Sequence, residues 1–198
     1  MSGRWRNYRN SEGYPDPTAS AAIENIAREE RRLRGMQSRI DGGVFEEMIE
    51  RSCSWYHSKG IAFIEKTPEP MKPLSHPNRQ GQFKACFIRA GQPDFKGTLQ
   101  GGRAIVFEAK HTAGDRIDYN RLTDEQIMSL SDHDALGAEA FVMVSFRLQS
   151  FYRIPWLVWS DMKRIYGRKH LKEAELGKYQ LKCTSGVIQF LDGLEEEA

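Results

Sequence analysis

Cysteine is scarce. Three residues in 198, Cys53, Cys86 and Cys183, are odd in number and far apart, which fits neither a disulfide framework nor a zinc site built from paired CxxC motifs. They read as reduced packing residues. No run approaches the roughly 20 continuous apolar residues that a membrane helix needs, and the opening MSGRWRNYRN lacks the apolar core of a secretory leader. The expectation is a soluble protein that stays inside the cell, with no membrane partner. Internal repeats are missing as well. A wholly disordered chain is excluded by 39% hydrophobic and 11% aromatic residues, enough for a core. The length suits one domain, or one domain plus an arm.

Net charge is only +2, but it is unevenly placed. From Met71 to Ala90 there is no carboxylate, while Lys72, Arg79, Lys84, Arg89 and His76 all fall there. Residues 105 to 140 hold eight carboxylates against three cations. A basic flank beside an acidic centre suits a protein that grips phosphates at one place and a metal at another; a solvated charged surface has the same composition.

Residues 1 to 40 form a basic arm with eight Arg against five carboxylates. Its first part lacks hydrophobic periodicity, and Thr18 or Ser20 is placed to cap a helix through AAIENIAREERRLRGM. Such an arm either binds nucleic acid or merely solubilises. After Asp41-Gly42-Gly43, the spacing of Val44, Phe45, Met48, Ile49, Cys53 and Tyr56 predicts an amphipathic helix ending near Gly60. IAFIEK reads as a strand. Between Thr67 and Gly91, Pro68, Pro70, Pro73 and Pro77 forbid a regular helix and predict a long irregular excursion, within which QFKACFIRA can pair as a strand. QPDFKG and RAIVFEAK make a hairpin about the turn at Leu99 to Gly102. A helix from about Thr123 to Leu136 follows, then strands AFVMVSF and FYRIPWLVW, a helix DMKRIYG capped by Ser160, and a strand SGVIQFL. This order predicts an α/β domain over residues 41 to 192, a mixed sheet flanked by helices, with an acidic tail at 193 to 198.

The chemistry lies on the second arm of the hairpin. Side chains alternate along a strand, so Glu108 and Lys110 share one face while Phe107 and Ala109 share the other. Asp94, from the neighbouring arm, approaches the same face. Two hard carboxylate ligands suit Mg2+ or Mn2+, with water and a phosphate oxygen completing the shell. Such an ion acidifies a bound water and screens an anionic phosphodiester, and a lysine alongside adds a charge for the transition state. Glu-x-Lys alone is also an ordinary same-face surface pair. The combination of Pro93-Asp94 with Glu108-Ala109-Lys110 on adjacent strands, beside a basic excursion, raises the catalytic reading to stand level with that one.

From residue 38 to 192 the chain resembles the RecU Holliday-junction resolvases, within the PD-(D/E)xK nucleases of restriction-endonuclease-like fold. The features that carry the resemblance are GGVFEEMIE, AFIEKTPEP, PDFKG, IVFEAKHT, DEQIMSL and FYRIPW, in that order. The resemblance implies a homodimer that nicks opposing strands of a four-way DNA junction symmetrically with Mg2+, or Mn2+. It also implies a stalk, here residues 67 to 91, that projects into the junction. Carried over, Asp94 and Glu108 are metal carboxylates and Lys110 stabilises the transition state. Gln126 completes the metal site from the following helix, and Glu46 is the helical acidic residue near the active site. Where the family often has Thr two positions before the aspartate, this chain has Gln92, whose amide oxygen replaces the hydroxyl as a ligand. The family's K-P-T-P at the stalk base is replaced by Lys66-Thr67-Pro68-Glu69-Pro70.

Other readings stand beside these. Glu46 is also placed as a first-turn carboxylate favoured by the helix dipole, and Gln126 as an exposed helix residue. Lys66, Lys72, Arg79, Lys84, Arg89 and Lys96 are the expected DNA contacts, and Phe83 and Phe87 either pack the stalk or wedge against bases. His57, His111, His133 and His170 have no zinc spacing. The resemblance implies recombinase and branch-migration proteins as partners and a cytoplasmic, nucleoid-associated location. Its alternatives are another nuclease of this fold and a junction-binding protein that modulates a recombinase.

Overall fold

A computed structural model describes residues 17–68, 70–87 and 91–194. Most of the arm's aperiodic start, Arg89 and the end of the acidic tail lie outside the described residues, as do the side chains of residues 17–20 and Phe87. The chain divides into two compact units, Met1–Ile40 and Asp41–Ala198.

The elements in chain order are α1 (Pro17–Ser58), β1 (Ala62–Lys66), β2 (Met71–Pro73), β3 (Ala85–Phe87), β4 (Phe95–Leu99), β5 (Ala104–Thr112) and β6 (Arg116–Asp118). There follow α2 (Asp124–Ala135), β7 (Glu139–Phe146), β8 (Ser150–Pro155), α3 (Trp156–Ser160), α4 (Met162–Tyr166), β9 (His170–Lys172), β10 (Gln180–Leu181), β11 (Cys183–Thr184) and β12 (Val187–Ile188). Six strands form one sheet in the order β1-β4-β5-β7-β8-β10. Only β5 and β7 run parallel in it, with α2 in the crossover between them. The expected α/β domain with a mixed, helix-flanked sheet is therefore present.

Both faces of the sheet are covered. Ile105, Phe107 and Ala109 of β5 join Phe45, Ile49, Cys53 and Tyr56 of α1 in one core. Val106 turns the other way, into a core with Leu130 of α2 and Trp156, Trp159 and Met162. Register aligns Phe95, Phe107 and Phe141 across three strands, and their rings stack at centroid distances of 5.0 and 4.7 Å. Such stacking adds to what the buried area alone contributes. At Gly97 a Cβ would lie 2.1 Å from the Phe63 carbonyl oxygen, so β1 approaches β4 too closely there for any side chain.

Several sequence expectations need correction. Asp41, Gly42 and Gly43 do not separate two helices but are themselves helical. A helical glycine costs about 1 kcal/mol, which the buried face from Phe45 to Tyr56 offsets. Thr18 and Ser20 lie within the helix rather than before its first residue. Val44 is exposed, outside the core face. Trp156 to Trp159 are helix, not strand. Pro155, with φ −53°, has no N–H for the ladder and is preset for a helix start. Ser160 closes α3, and α4 starts after Asp161 without a side-chain cap. The SGVIQFL strand shrinks to Val187–Ile188, paired with β11. Cys86 and Cys183 are exposed, so only Cys53 packs the core. The excursion is more regular than expected, since β2 and β3 form an antiparallel ribbon. Its tip is tied by Asn78 Oδ1, which accepts from the backbone N–H groups of Gln80 at 3.0 Å and Gln82 at 2.9 Å. No described helix is long and apolar enough to cross a membrane.

Candidate active site

Asp94 sits just before β4 and is fixed at both ends. Its backbone oxygen accepts from Thr67 N–H at 2.8 Å. Its Oδ2 accepts from the Ala109 N–H of β5 at 2.9 Å and from Lys110 Nζ at 3.4 Å. Alternation along β5 puts Glu108 and Lys110 on the same side, and Lys110 Nζ donates to Glu108 Oε2 at 2.7 Å. The three side chains grade outward, with Glu108 0%, Lys110 14% and Asp94 30% exposed.

A fourth group arrives from α2. Thr123 and Gln126 form a capping box: Thr123 Oγ1 accepts from Gln126 N–H, and Gln126 Oε1 accepts from Thr123 N–H at 3.1 Å. With the amide oxygen committed there, Nε2 faces inward and donates to Glu108 Oε2 at 2.6 Å. Gln126 thus presents a donor, not a ligand oxygen, to the cluster. Glu108 Oε2 takes two donors, while its Oε1 is buried with no hydrogen-bond partner among the described residues.

Electrostatics follow from this packing. Burial pushes the Glu108 carboxyl up to about 8, with Lys110 opposing and the like charge of Asp94 adding. Burial pulls Lys110 down, but the attraction of Asp94 and Glu108 outweighs it and the ammonium is held above its ordinary value. An orphaned buried carboxylate oxygen beside a second carboxylate suits a hard divalent cation, which would satisfy Oε1 and favour the ionised form. Among the described residues no group of three or more His, Cys, Asp or Glu is placed to hold a metal. A cation bound at this cluster would have Asp94 and Glu108 as its carboxylates, with water and phosphate for the remaining positions.

The other candidate residues sit elsewhere. Gln92 is exposed and its Oε1 accepts from Lys96 Nζ at 3.3 Å, so its amide oxygen is engaged outside the cluster. Glu46 pairs with Lys66 at 2.8 Å, and Glu50 pairs with the same ammonium at 3.2 Å. Lys72, Arg79, Lys84 and Phe83 are exposed on the ribbon segment.

Sequence reasoning passed over two features. One is Thr67, which anchors Asp94; its position beside the proline-rich excursion gave no hint of that bond. The other is His111, buried next to Lys110. Its Nδ1 lies 3.3 Å from Ser145 Oγ and its Nε2 3.6 Å from Asp41 Oδ2, and Arg121 Nη2 donates to its carbonyl oxygen at 3.0 Å. Burial lowers its pKa, Asp41 opposing and Arg121 reinforcing. The alternation of β5 already placed His111 on the Phe107 face. The Thr123-x-x-Gln126 pattern was equally legible as a cap.

Residues 40–196 match the family model described as RecU, recombination protein U. The chain is similar to a protein named Holliday junction resolvase RecU from Lactococcus lactis, 32% identical over 120 residues, covering 58% of this chain and 56% of that protein. A protein of the same name from Streptococcus pneumoniae is 29% identical over 168 residues, covering 78% of this chain and 83% of its own length. Among solved structures, Archaeoglobus fulgidus Hjc, a Holliday junction resolvase, aligns over 66% of this chain and 91% of its own with a TM-score of 0.42 and 14% identity.

Proposed function

This chain belongs to the RecU family of recombination proteins, and from that we propose that it is an endodeoxyribonuclease resolving four-way (Holliday) DNA junctions in recombination and repair. It works with Mg2+, or Mn2+, as a homodimer whose two sites make paired symmetric nicks, a C2 arrangement that mirrors the two-fold symmetry of the junction. Recombinase and branch-migration proteins are its expected partners, and the nucleoid in the cytoplasm is its expected location. The observation that carries the reading is the buried, unpartnered oxygen of Glu108 set against Asp94 and Lys110.

Asp94 and Glu108 would hold the cation. Bound there, it supplies an acidified water and neutralises phosphodiester charge. Lys110, kept charged by both carboxylates, is placed to donate to the water that attacks phosphorus or to the oxygen on which negative charge builds. Gln126 fixes the Glu108 carboxylate, so that Oε2 faces the donors and Oε1 would be left for a cation. Phosphates along the junction arms meet the exposed Lys72, Arg79 and Lys84, which need charge more than exact geometry. Lys66, Lys96 and, by its charge alone, Arg89 are assigned the same phosphate-contacting role. Glu46 acts through Lys66, holding its charge beside the root of the ribbon.

The test compares nicking of a labelled synthetic four-way junction with linear duplex of the same sequence, in Mg2+ and in EDTA, for wild type and Asp94→Ala. Metal-dependent paired nicks near the branch, lost in the variant, are expected. Equal cutting of duplex would point to a different nuclease. Tight junction binding without cutting, unchanged by Glu108→Ala, would point to a binding protein.

A further inference from the structure

The nuclease reading leaves one cation beside the catalytic strand without a task. Pairing of β4 with β5 begins at Phe95 opposite Phe107, and beyond Phe107 β5 continues against β7 alone. One edge of β5 is therefore without a neighbouring strand from Glu108 to Thr112. Backbone groups of alternate residues in a strand point to the same edge, so the Ala109 N–H and the His111 carbonyl share it. Two side chains take up these groups. Asp94 Oδ2 accepts from Ala109 N–H at 2.9 Å, and Arg121 Nη2 donates to His111 O at 3.0 Å. A carboxylate of the proposed metal site and a guanidinium are thus anchored along one strand edge, at residues about 7 Å apart.

Arg121 comes from the turn that leads into α2. Leu122 after it is buried in the second core and Thr123 caps the helix, so the backbone that carries it is fixed. Its side chain is exposed, and the bond to His111 is the one hydrogen bond of its guanidinium among the described residues. It enters none of the ion pairs among those residues, whereas Arg103, Arg147, Arg164 and Arg168 each meet a carboxylate. A guanidinium holds its several N–H donors in a rigid planar fork and does not give up its proton. One donor is spent on the carbonyl, which locates the fork, and the others are left for an anion from outside. A phosphodiester seated at Asp94, Glu108 and Lys110 brings its neighbouring phosphates along at the fixed spacing of its backbone, and the edge that carries Asp94 leads to Arg121.

We propose that Arg121 grips a phosphate next to the scissile one and so sets the DNA strand in register with the cation site. The assignment rests on the DNA cleavage of the proposed function but not on any particular branch geometry.

The test uses the full chain and a series of four-way junctions in which one phosphate at a time around each nick is replaced by a neutral methylphosphonate. Arg121→Ala is expected to nick the unmodified junction about tenfold more slowly, the loss of one hydrogen-bonded charge contact. At one phosphate adjoining the nick, neutralisation is expected to slow the wild type about tenfold and the variant no further. At the other positions the two losses should multiply. A guanidinium that only caps the His111 carbonyl would give losses that multiply at every position, and that result overturns the proposal, as does unchanged nicking by Arg121→Ala. Arg121→Gln, uncharged but polar, repeats the series should Arg121→Ala lose its folded state. If the wild type cuts no DNA at all, the nuclease reading fails by itself and junction binding decides the contact. The slope of log affinity against log salt then flattens by about 1 in the variant if Arg121 meets a phosphate, and an unchanged slope overturns the contact as well.

Discussion

Replacing Gln126 by Ala distinguishes an amide that orients Glu108 from one that binds the metal. Two bonds are lost. The Gln126 Oε1 bond to Thr123 N–H is half of the α2 capping box, and losing a cap interaction costs about 1 kcal/mol. The Nε2 bond to Glu108 Oε2, at 2.6 Å, goes to a fully buried carboxyl. Removing a donor from such a group costs about 1–3 kcal/mol. Together about 2–4 kcal/mol is at stake, a fall in Tm of roughly 4–16 °C for a chain of this size. The assay is thermal unfolding in EDTA, where a lost metal ligand has no effect. Junction nicking is expected to fall about 10–100-fold as Glu108 loses its orientation. An unchanged Tm in EDTA, joined to a raised Mg2+ requirement, would refute the reasoning and make Gln126 a ligand.

Three further outcomes are expected. Because His111 has its pKa lowered in the folded state from 6.5, the unfolded chain takes up a proton first, so stability is lost as pH falls below about 6.5. His111 faces Asp41, Ser145 and Arg121, and in His111→Gln that part of the acid slope should vanish from a Tm-against-pH profile, whatever the change in absolute Tm. A thiol reagent should modify Cys86 and Cys183 in the native protein and Cys53 only after denaturation, since burial raises the Cys53 thiol to about 12; three fast thiols in the native state would contradict the packing of α1. If Lys72 and Lys84 contact phosphates, the double alanine variant should flatten the slope of log affinity against log salt for a four-way junction by about 2, and an unchanged slope would remove them from the DNA surface.

What the sequence could reveal depended on how local the signal was. Alternation of apolar and polar residues is local, so the hairpin of PDFKG and IVFEAK, the pairing of Glu108 with Lys110, and the helix after Thr123 were all legible. The approach of Asp94 followed from hairpin register. Other features depended on contacts distant in sequence. Trp156 to Trp159 has strand-like composition, and only its setting after Pro155 in the second core makes it helical. Cys86 has the apolar neighbours of a buried residue, but its ribbon exposes it. The Gln126 amide oxygen is committed by the local capping pattern at Thr123, but its Nε2 meets a carboxyl 18 residues away, a contact no local spacing reveals. Gln92, by contrast, has Lys96 four residues away, a pairing the sequence could have suggested.

Asp94 is held through two chemically separate handles. Its main-chain oxygen is tethered to Thr67, at the root of the ribbon, and its carboxylate to Ala109 and Lys110. A tilt of the ribbon would strain the main-chain tether and, through the same residue, the carboxylate. On the proposed function, contact with branched DNA and breakage of its backbone would meet at this one residue. If Asp94 holds the cation as proposed, the ribbon would act as a lever on it, and a substrate that seated the ribbon badly would also misalign the chemistry.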